Sequence, residues 1–235
     1  MAIARVSDNE LNQPDATPPE ALTTTTEMAE GVSEAIRFFH RQGWCPATSS
    51  NFSFRPNLAQ NEFHISVSGL DKANFSANDF LPMNMQGHLS AAELSASSGA
   101  NLKPSAETLL HALIYQNDPE AAVVLHMHSP NAVVFSKLMA EEPYAEFSDY
   151  EILKGFAGIT THETSVRLPI YPNSQDMAAL SKRIGYDWQD TPLQYGFLLR
   201  GHGLYAWGKS VAEAKRHVEV FEYLFECERK LIQAS

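Results

Sequence analysis

Few cysteines, few basic residues and no long apolar run set the first limits on this chain of 235 residues. The cysteines, Cys45 and Cys227, are too few for a disulfide framework and fit a reducing compartment. Lys and Arg number 17 against 28 Asp and Glu, a formal charge of -11 that repels phosphate backbones and anionic membrane surfaces at long range. Neither nucleic acid nor membrane is therefore expected as a partner. No stretch approaches the roughly 18 apolar residues of a membrane helix. Asp8, Glu10 and Asp15 stand where a secretory signal would be apolar. Walker-type and GxGxxG loops are also missing, which argues against a nucleotide, and there is no internal repeat. A cytoplasmic protein is the expectation.

What is present suffices for one sizeable core, since 44% of the residues are hydrophobic. Residues 1–26 are polar, carry Pro14, Pro18 and Pro19 and show no periodicity, so a flexible lead is expected there, followed by a single domain over 27–235. Met28, Val32, Ala35, Ile36 and Phe39 recur at helical spacing and predict a helix over 27–42, stopped by Gly43. "NFSFR" and "EFHISVSG" read as strands, and "FLPMNMQGHLS" as a further strand or hairpin. "SAETLLHALIYQ" reads as a helix leading into a buried strand, "AVVLHMH". "SQDMAALSKRI" then precedes two short strands around the Gly-rich turn of "YGFLLRGHGLYAWG". The last helix opens on a capping box, Ser210 and Glu213, and carries Val211, Ala214, Val218, Phe221 and Phe225 in steps of three and four. Interleaved helices and strands joined by short turns predict a mixed α/β sandwich, while strand order is not written in the pattern.

Alternate residues of a strand share a face, so His126 and His128 present two imidazoles side by side, which suits two metal ligands as well as ordinary hydrogen-bonded packing. His202, between Gly201 and Gly203, stands where glycine permits a close backbone approach or a turn at positive φ, and is the candidate for a third. Three histidines and an open position form the standard catalytic zinc arrangement. Glu107, at a helix start, and Glu151, in "DYEILKGF", are the candidate proton carriers, although a carboxylate so placed is more often simply a helix N-terminal residue favoured by the macrodipole. Loops at "TSSN", "SVSG" and "KPS" offer hydroxyls and backbone N–H groups to an anion such as phosphate.

The ordered set "GWCPATSSNFS", "SVSG", "KPSAETLLH", "VVLHMHS", "DYEILKGFAGITTHE" and "RGHGLYAWG" resembles the class II aldolase/adducin superfamily over residues 27–232, and within it the methylthioribulose 1-phosphate dehydratases of methionine salvage. The resemblance implies a three-layer α/β/α fold with a central, largely antiparallel mixed sheet, assembled as a homotetramer. It implies Zn2+ on His126, His128 and His202, and an acid/base role for Glu151. Glu107 matches a carboxylate that serves the metal or the reaction in sugar-phosphate aldolases. Ser49, Ser50, Asn51, Ser68, Gly69 and Ser105 match positions that help bind the phosphate of a ketose substrate, and Lys154 and Arg200 are candidate cationic helpers. Two other readings stand beside the dehydratase. A class II sugar-phosphate aldolase or epimerase is favoured if Glu107 meets the metal and Glu151 points away, and an adducin-like binding module would lack ligands.

Overall fold

The computed structural model describes residues 24–90 and 103–234, so the expected N-terminal lead lies almost wholly outside the described residues. Helix α1 spans Thr25–Arg41 and begins with a reciprocal capping box: Thr24 Oγ1 accepts from Glu27 N at 3.2 Å, and Glu27 Oε2 accepts from Thr24 N at 2.8 Å. A cap of this kind contributes about 1 kcal/mol. Gly43 closes the segment at φ +75°, where a Cβ would be strained.

Among the described residues eight strands form one sheet: β1 (Asn51–Phe54), β2 (Glu62–Ser66), β3 (Phe80–Asn84), β4 (Val123–Met127), β5 (Tyr144–Ser148), β6 (Ser165–Tyr171), β7 (Gly196–Leu199) and β8 (Gly203–Gly208). Their order is β3-β2-β1-β4-β8-β7-β6-β5, and every neighbouring pair is antiparallel except β6 and β7. Four further helices lie among the described residues: α2 (Thr108–Asn117), α3 (Pro130–Leu138), α4 (Met177–Asp190) and α5 (Val211–Ala234).

The two-residue period of the strands divides the core. Phe52, Phe54, Leu125, Met127 and Leu204 face α1, α3 and α5, whereas Val124, Phe197, Tyr205 and Trp207 face α2 and α4. This is the expected three-layer fold, a sheet with helices on both faces. Burying each large apolar side chain in such a core contributes about 1.5 to 3 kcal/mol.

Two local details differ from expectation. The capping box at α5 is altered: Ser210 Oγ accepts from Glu213 N at 3.2 Å, but the Glu213 carboxylate reaches Lys209 N at 3.0 Å instead of Ser210. Strands β5 and β6, which the sequence pattern did not call for, extend the sheet. β5 alternates exposed and buried residues, and Arg167 of β6 pairs with Glu146 of β5 across the ladder at 3.0 Å.

Candidate active site

Three elements converge at the C-terminal end of β4. Strand pairing puts Asn51, His126 and Tyr205 in register across β1, β4 and β8, so an amide, an imidazole and a phenol stand side by side on the face covered by α2. His128 follows the strand's last residue. His202 comes from the β7–β8 turn, which needs both of its glycines. Gly201 sits at φ +67°, and a Cβ on Gly203 would lie 2.1 Å from the carbonyl oxygen of Met127. Glu107 occupies the N-cap position of α2 but makes no cap hydrogen bond; its side chain turns to the histidines instead.

The result is a compact group. His128 Nε2 lies 2.8 Å from His126 Nε2 and 3.1 Å from His202 Nε2. Glu107 places Oε2 3.2 Å from His126 Nε2 and Oε1 3.0 Å from His202 Nε2. One ligand atom from each of the four residues falls within 4.8 Å of all the others. Tyr205 stacks on the His126 ring with centroids 3.9 Å apart and donates its hydroxyl to Glu107 Oε2 at 3.0 Å.

The hydrogen-bond partners fix the tautomers. His126 Nδ1 faces the Leu204 carbonyl at 2.9 Å and His202 Nδ1 faces Asn173 Oδ1 at 3.0 Å. Both partners accept, so each Nδ1 carries the hydrogen and each Nε2 offers a bare lone pair to the centre. Burial pushes the pKa of His126 well below the usual value. Burial and the neighbouring His202 bring His128 down to about 4. Burial works against the Glu107 carboxylate, yet the neighbouring His126 and His202 rings and a hydrogen bond from Asn51 hold its pKa well below the ordinary carboxylate range. Neutral imidazoles and an anion thus converge on one point, an arrangement that a cation relieves. Zinc bonded to nitrogen at about 2.0 to 2.1 Å in tetrahedral geometry would hold its ligand atoms about 3.3 Å apart, and the four separations of 2.8, 3.1, 3.2 and 3.0 Å all fall a little short of that. The donor set fits a divalent metal.

A cleft of about 190 Å³ opens beside the group, lined by Ser49, Ser50, Asn51, Ser68, Gly69 and Ser105 together with Glu107 and His128. All six loop residues assigned to phosphate by resemblance are brought together here. Lys72, which no sequence motif marks, is buried behind the loops and donates to the Leu70 carbonyl at 2.9 Å.

Three expected site residues are not brought into this group. Glu151 begins a short 3-10 turn, Glu151–Gly155, with 69% of its side chain exposed, and pairs with Lys154 and with His162, the latter at 3.4 Å. Lys154 is thereby engaged with Glu151 and does not line the cleft. The guanidinium of Arg200 donates to the carbonyls of Ser136 at 2.9 Å and Glu142 at 2.8 Å, tying the β7–β8 turn to the end of α3, and it does not line the cleft. Tyr205, Asn173 and His111 were missed in the other direction. Tyr205 and His111 stand inside "RGHGLYAWG" and "KPSAETLLH", but their partners Glu107 and Asn51 lie 98 and 60 positions away, and Asn173 stands in no motif.

Comparison with known proteins decides the family. The model of the class II aldolase and adducin N-terminal domain matches residues 30–228. The chain belongs to the class II aldolase/adducin family. It is 43% identical over 207 residues to a methylthioribulose-1-phosphate dehydratase of Pseudomonas fluorescens (strain Pf0-1), covering 88% of this chain and 94% of that protein. A methylthioribulose-1-phosphate dehydratase of Picosynechococcus is 44% identical over 207 residues, covering 88% and 93%. Among solved structures, this family member superposes on the L-fuculose-1-phosphate aldolase of Thermus thermophilus with a TM-score of 0.64, at 20% identity, over 87% of this chain and 96% of that one. The L-fuculose 1-phosphate aldolase of Glaciozyma antarctica gives 0.67 at 16% identity, over 93% and 80%. At such identities these two likenesses establish the fold alone.

Proposed function

We propose that the chain catalyses zinc-dependent dehydration of 5-methylthioribulose 1-phosphate to the 2,3-diketone in methionine salvage. The observation that carries this reading is the 43% identity to a dehydratase over nearly the whole chain, with the Glu107, His126, His128 and His202 group intact. Bound zinc supplies Lewis-acid polarisation of the C2 carbonyl, a contribution of several kcal/mol. The protein's part begins with the phosphate, held by hydroxyls and backbone N–H groups of the loops at Ser49–Asn51, Ser68–Gly69 and Ser105. Glu107 keeps its charge beside the imidazoles, because Oε2 accepts from Asn51 and Tyr205 while Oε1 meets His202. With both oxygens engaged it is poorly placed to pass protons back and forth. Glu151 is the group assigned to proton transfer: it takes the C3 proton and returns it to the C4 hydroxyl, which leaves as water. The remaining C3–C4 enol relaxes to the diketone. A cytoplasmic homotetramer belongs to the same proposal, on the resemblance and on two free thiols.

One observation favours a second reading, a sugar-phosphate aldolase or epimerase: Glu107 lies in the metal-ligand group and Glu151 lies outside it. The 43% identity to a dehydratase over 88% of this chain outweighs it, because carboxylate placement in one conformation is easier to change than that much sequence. Paired variants separate the two. Glu151→Gln is expected to lower turnover at least about 10²-fold with zinc content unchanged. Near-normal dehydration by Glu151→Gln, with activity abolished only in Glu107→Gln, would overturn the assignment in favour of the aldolase-like arrangement.

A further inference from the structure

Behind Glu107 runs a buried chain of polar side chains of which the proposed chemistry uses only Asn51. Asn51 Nδ2 donates to Glu107 Oε2 at 2.7 Å, and Asn51 Oδ1 lies 2.5 Å from His111 Nε2. His111 Nδ1 lies 2.7 Å from Ser53 Oγ, which lies 2.7 Å from the Tyr115 hydroxyl. Asn51, Ser53, His111 and Tyr115 are all buried. The chain links one face of β1, where Asn51 and Ser53 are two residues apart, to one side of α2, where His111 and Tyr115 are four apart.

Every hydrogen in this chain follows from one fact, that an ionised carboxylate only accepts. Glu107 therefore faces the NH2 end of Asn51, which turns the Asn51 oxygen toward His111. His111 must then carry its hydrogen on Nε2, leaving Nδ1 bare. Ser53 spends its single O–H on Nδ1, so its oxygen accepts from Tyr115. The donors point one way throughout: Tyr115, Ser53, His111, Asn51, Glu107. Burial brings the His111 pKa down to about 3, which agrees with a neutral ring holding one hydrogen. A reversed chain would aim an amide oxygen at a carboxylate, and two buried acceptors that close, 2.7 Å apart, would be strongly unfavourable.

We propose that His111 is a positioning residue for the metal centre: acting through Asn51, it locks Glu107 in the orientation that completes the group of His126, His128 and His202. The inference rests on the metal-centre reading and not on the identity of the substrate. Outer residues that orient the groups around a metal typically change affinity by about 10- to 100-fold when replaced.

The test uses the full-length protein loaded with Co2+ in place of zinc, with affinity read by chelator competition and coordination read by visible absorption. His111→Met removes both ring nitrogens, and the folded variant is expected to bind Co2+ about 10-fold more weakly with an altered spectrum. His111→Gln keeps an N–H where Nε2 stands and should restore most of the affinity and the parental spectrum. Should His111→Met fail to fold, Tyr115→Phe, which removes only the far end of the chain, is expected to weaken Co2+ binding by a few-fold. A folded His111→Met with parental affinity and spectrum overturns the proposal, as does a Tyr115→Phe without effect if that variant has to stand in. A purely structural His111 would lower the melting temperature in both His111 variants and leave the Co2+ spectrum of the folded protein alone. A parent protein that binds no divalent metal would instead refute the metal centre itself.

Discussion

Replacing Glu222 by Gln should change how stability depends on pH, and by an amount the structure sets. Glu222 lies on the buried side of α5, 3% exposed, and accepts from Ser129 Oγ at 2.5 Å. Ser129 caps α3, accepting from Ala132 N at 3.0 Å, directly after His128. Burial outweighs the hydrogen bonds from Ser129 and Asn131 and pushes the Glu222 pKa up to about 8 from an ordinary 4.5. The native state thus holds a proton that the unfolded chain releases at lower pH. Stability is full below about pH 4.5, declines as pH rises, and has lost its whole share once pH passes about 8. At about 1.4 kcal/mol per unit, the share lost between pH 5 and pH 9 is about 4 kcal/mol. Gln keeps an acceptor for Ser129 and cannot ionise. The stability difference between Glu222→Gln and its parent, from urea melts at equal metal content, should therefore shift by about 4 kcal/mol in favour of the variant between pH 5 and pH 9. A difference that stays constant across that range would refute the reasoning, because Glu222 would then be ionised in the native protein at all of these pH values.

Gly203→Ala should cost about 2 to 3 kcal/mol and most of the bound metal, because the new Cβ meets the Met127 carbonyl 2.1 Å away and forces β4 or the His202 turn to move. A parental melting temperature and metal content in that variant would show that the turn yields freely. His202→Ala should sharply weaken zinc binding while the fold persists, since the side chain projects from the β7–β8 turn and not from a strand; zinc retained at full stoichiometry would remove His202 from the ligand set.

The parts of this site that the sequence announced are those whose chemistry is local. His126 and His128 are two residues apart at the end of β4, and the glycines flanking His202 are explained by one positive φ and one backbone contact. The serine-rich loops are legible as turns bearing hydroxyls, which are properties of short stretches, and they meet in one cleft. Glu107 and Glu151 could not be ranked that way: each opens a helical segment, and only the position of α2 over β4 turns Glu107 to the imidazoles while Glu151 meets solvent and Lys154. His111 gave no sign of its role in the sequence because its partner Ser53 is 58 positions away in the chain. Strands β5 and β6 were hidden for a different reason. β5 is short and half exposed, and Pro169 interrupts β6 with a residue that cannot donate to a ladder.

Dehydration of a methylthio ketose phosphate is tested most directly by incubating the purified, zinc-loaded chain with 5-methylthioribulose 1-phosphate and, separately, with fuculose 1-phosphate and ribulose phosphates, and identifying the products by mass and NMR. Loss of one water from methylthioribulose 1-phosphate to give the 2,3-diketone, with no comparable turnover of the others, is the expected result. Carbon–carbon cleavage into two fragments, or turnover confined to the fuculose or ribulose phosphates, would contradict it.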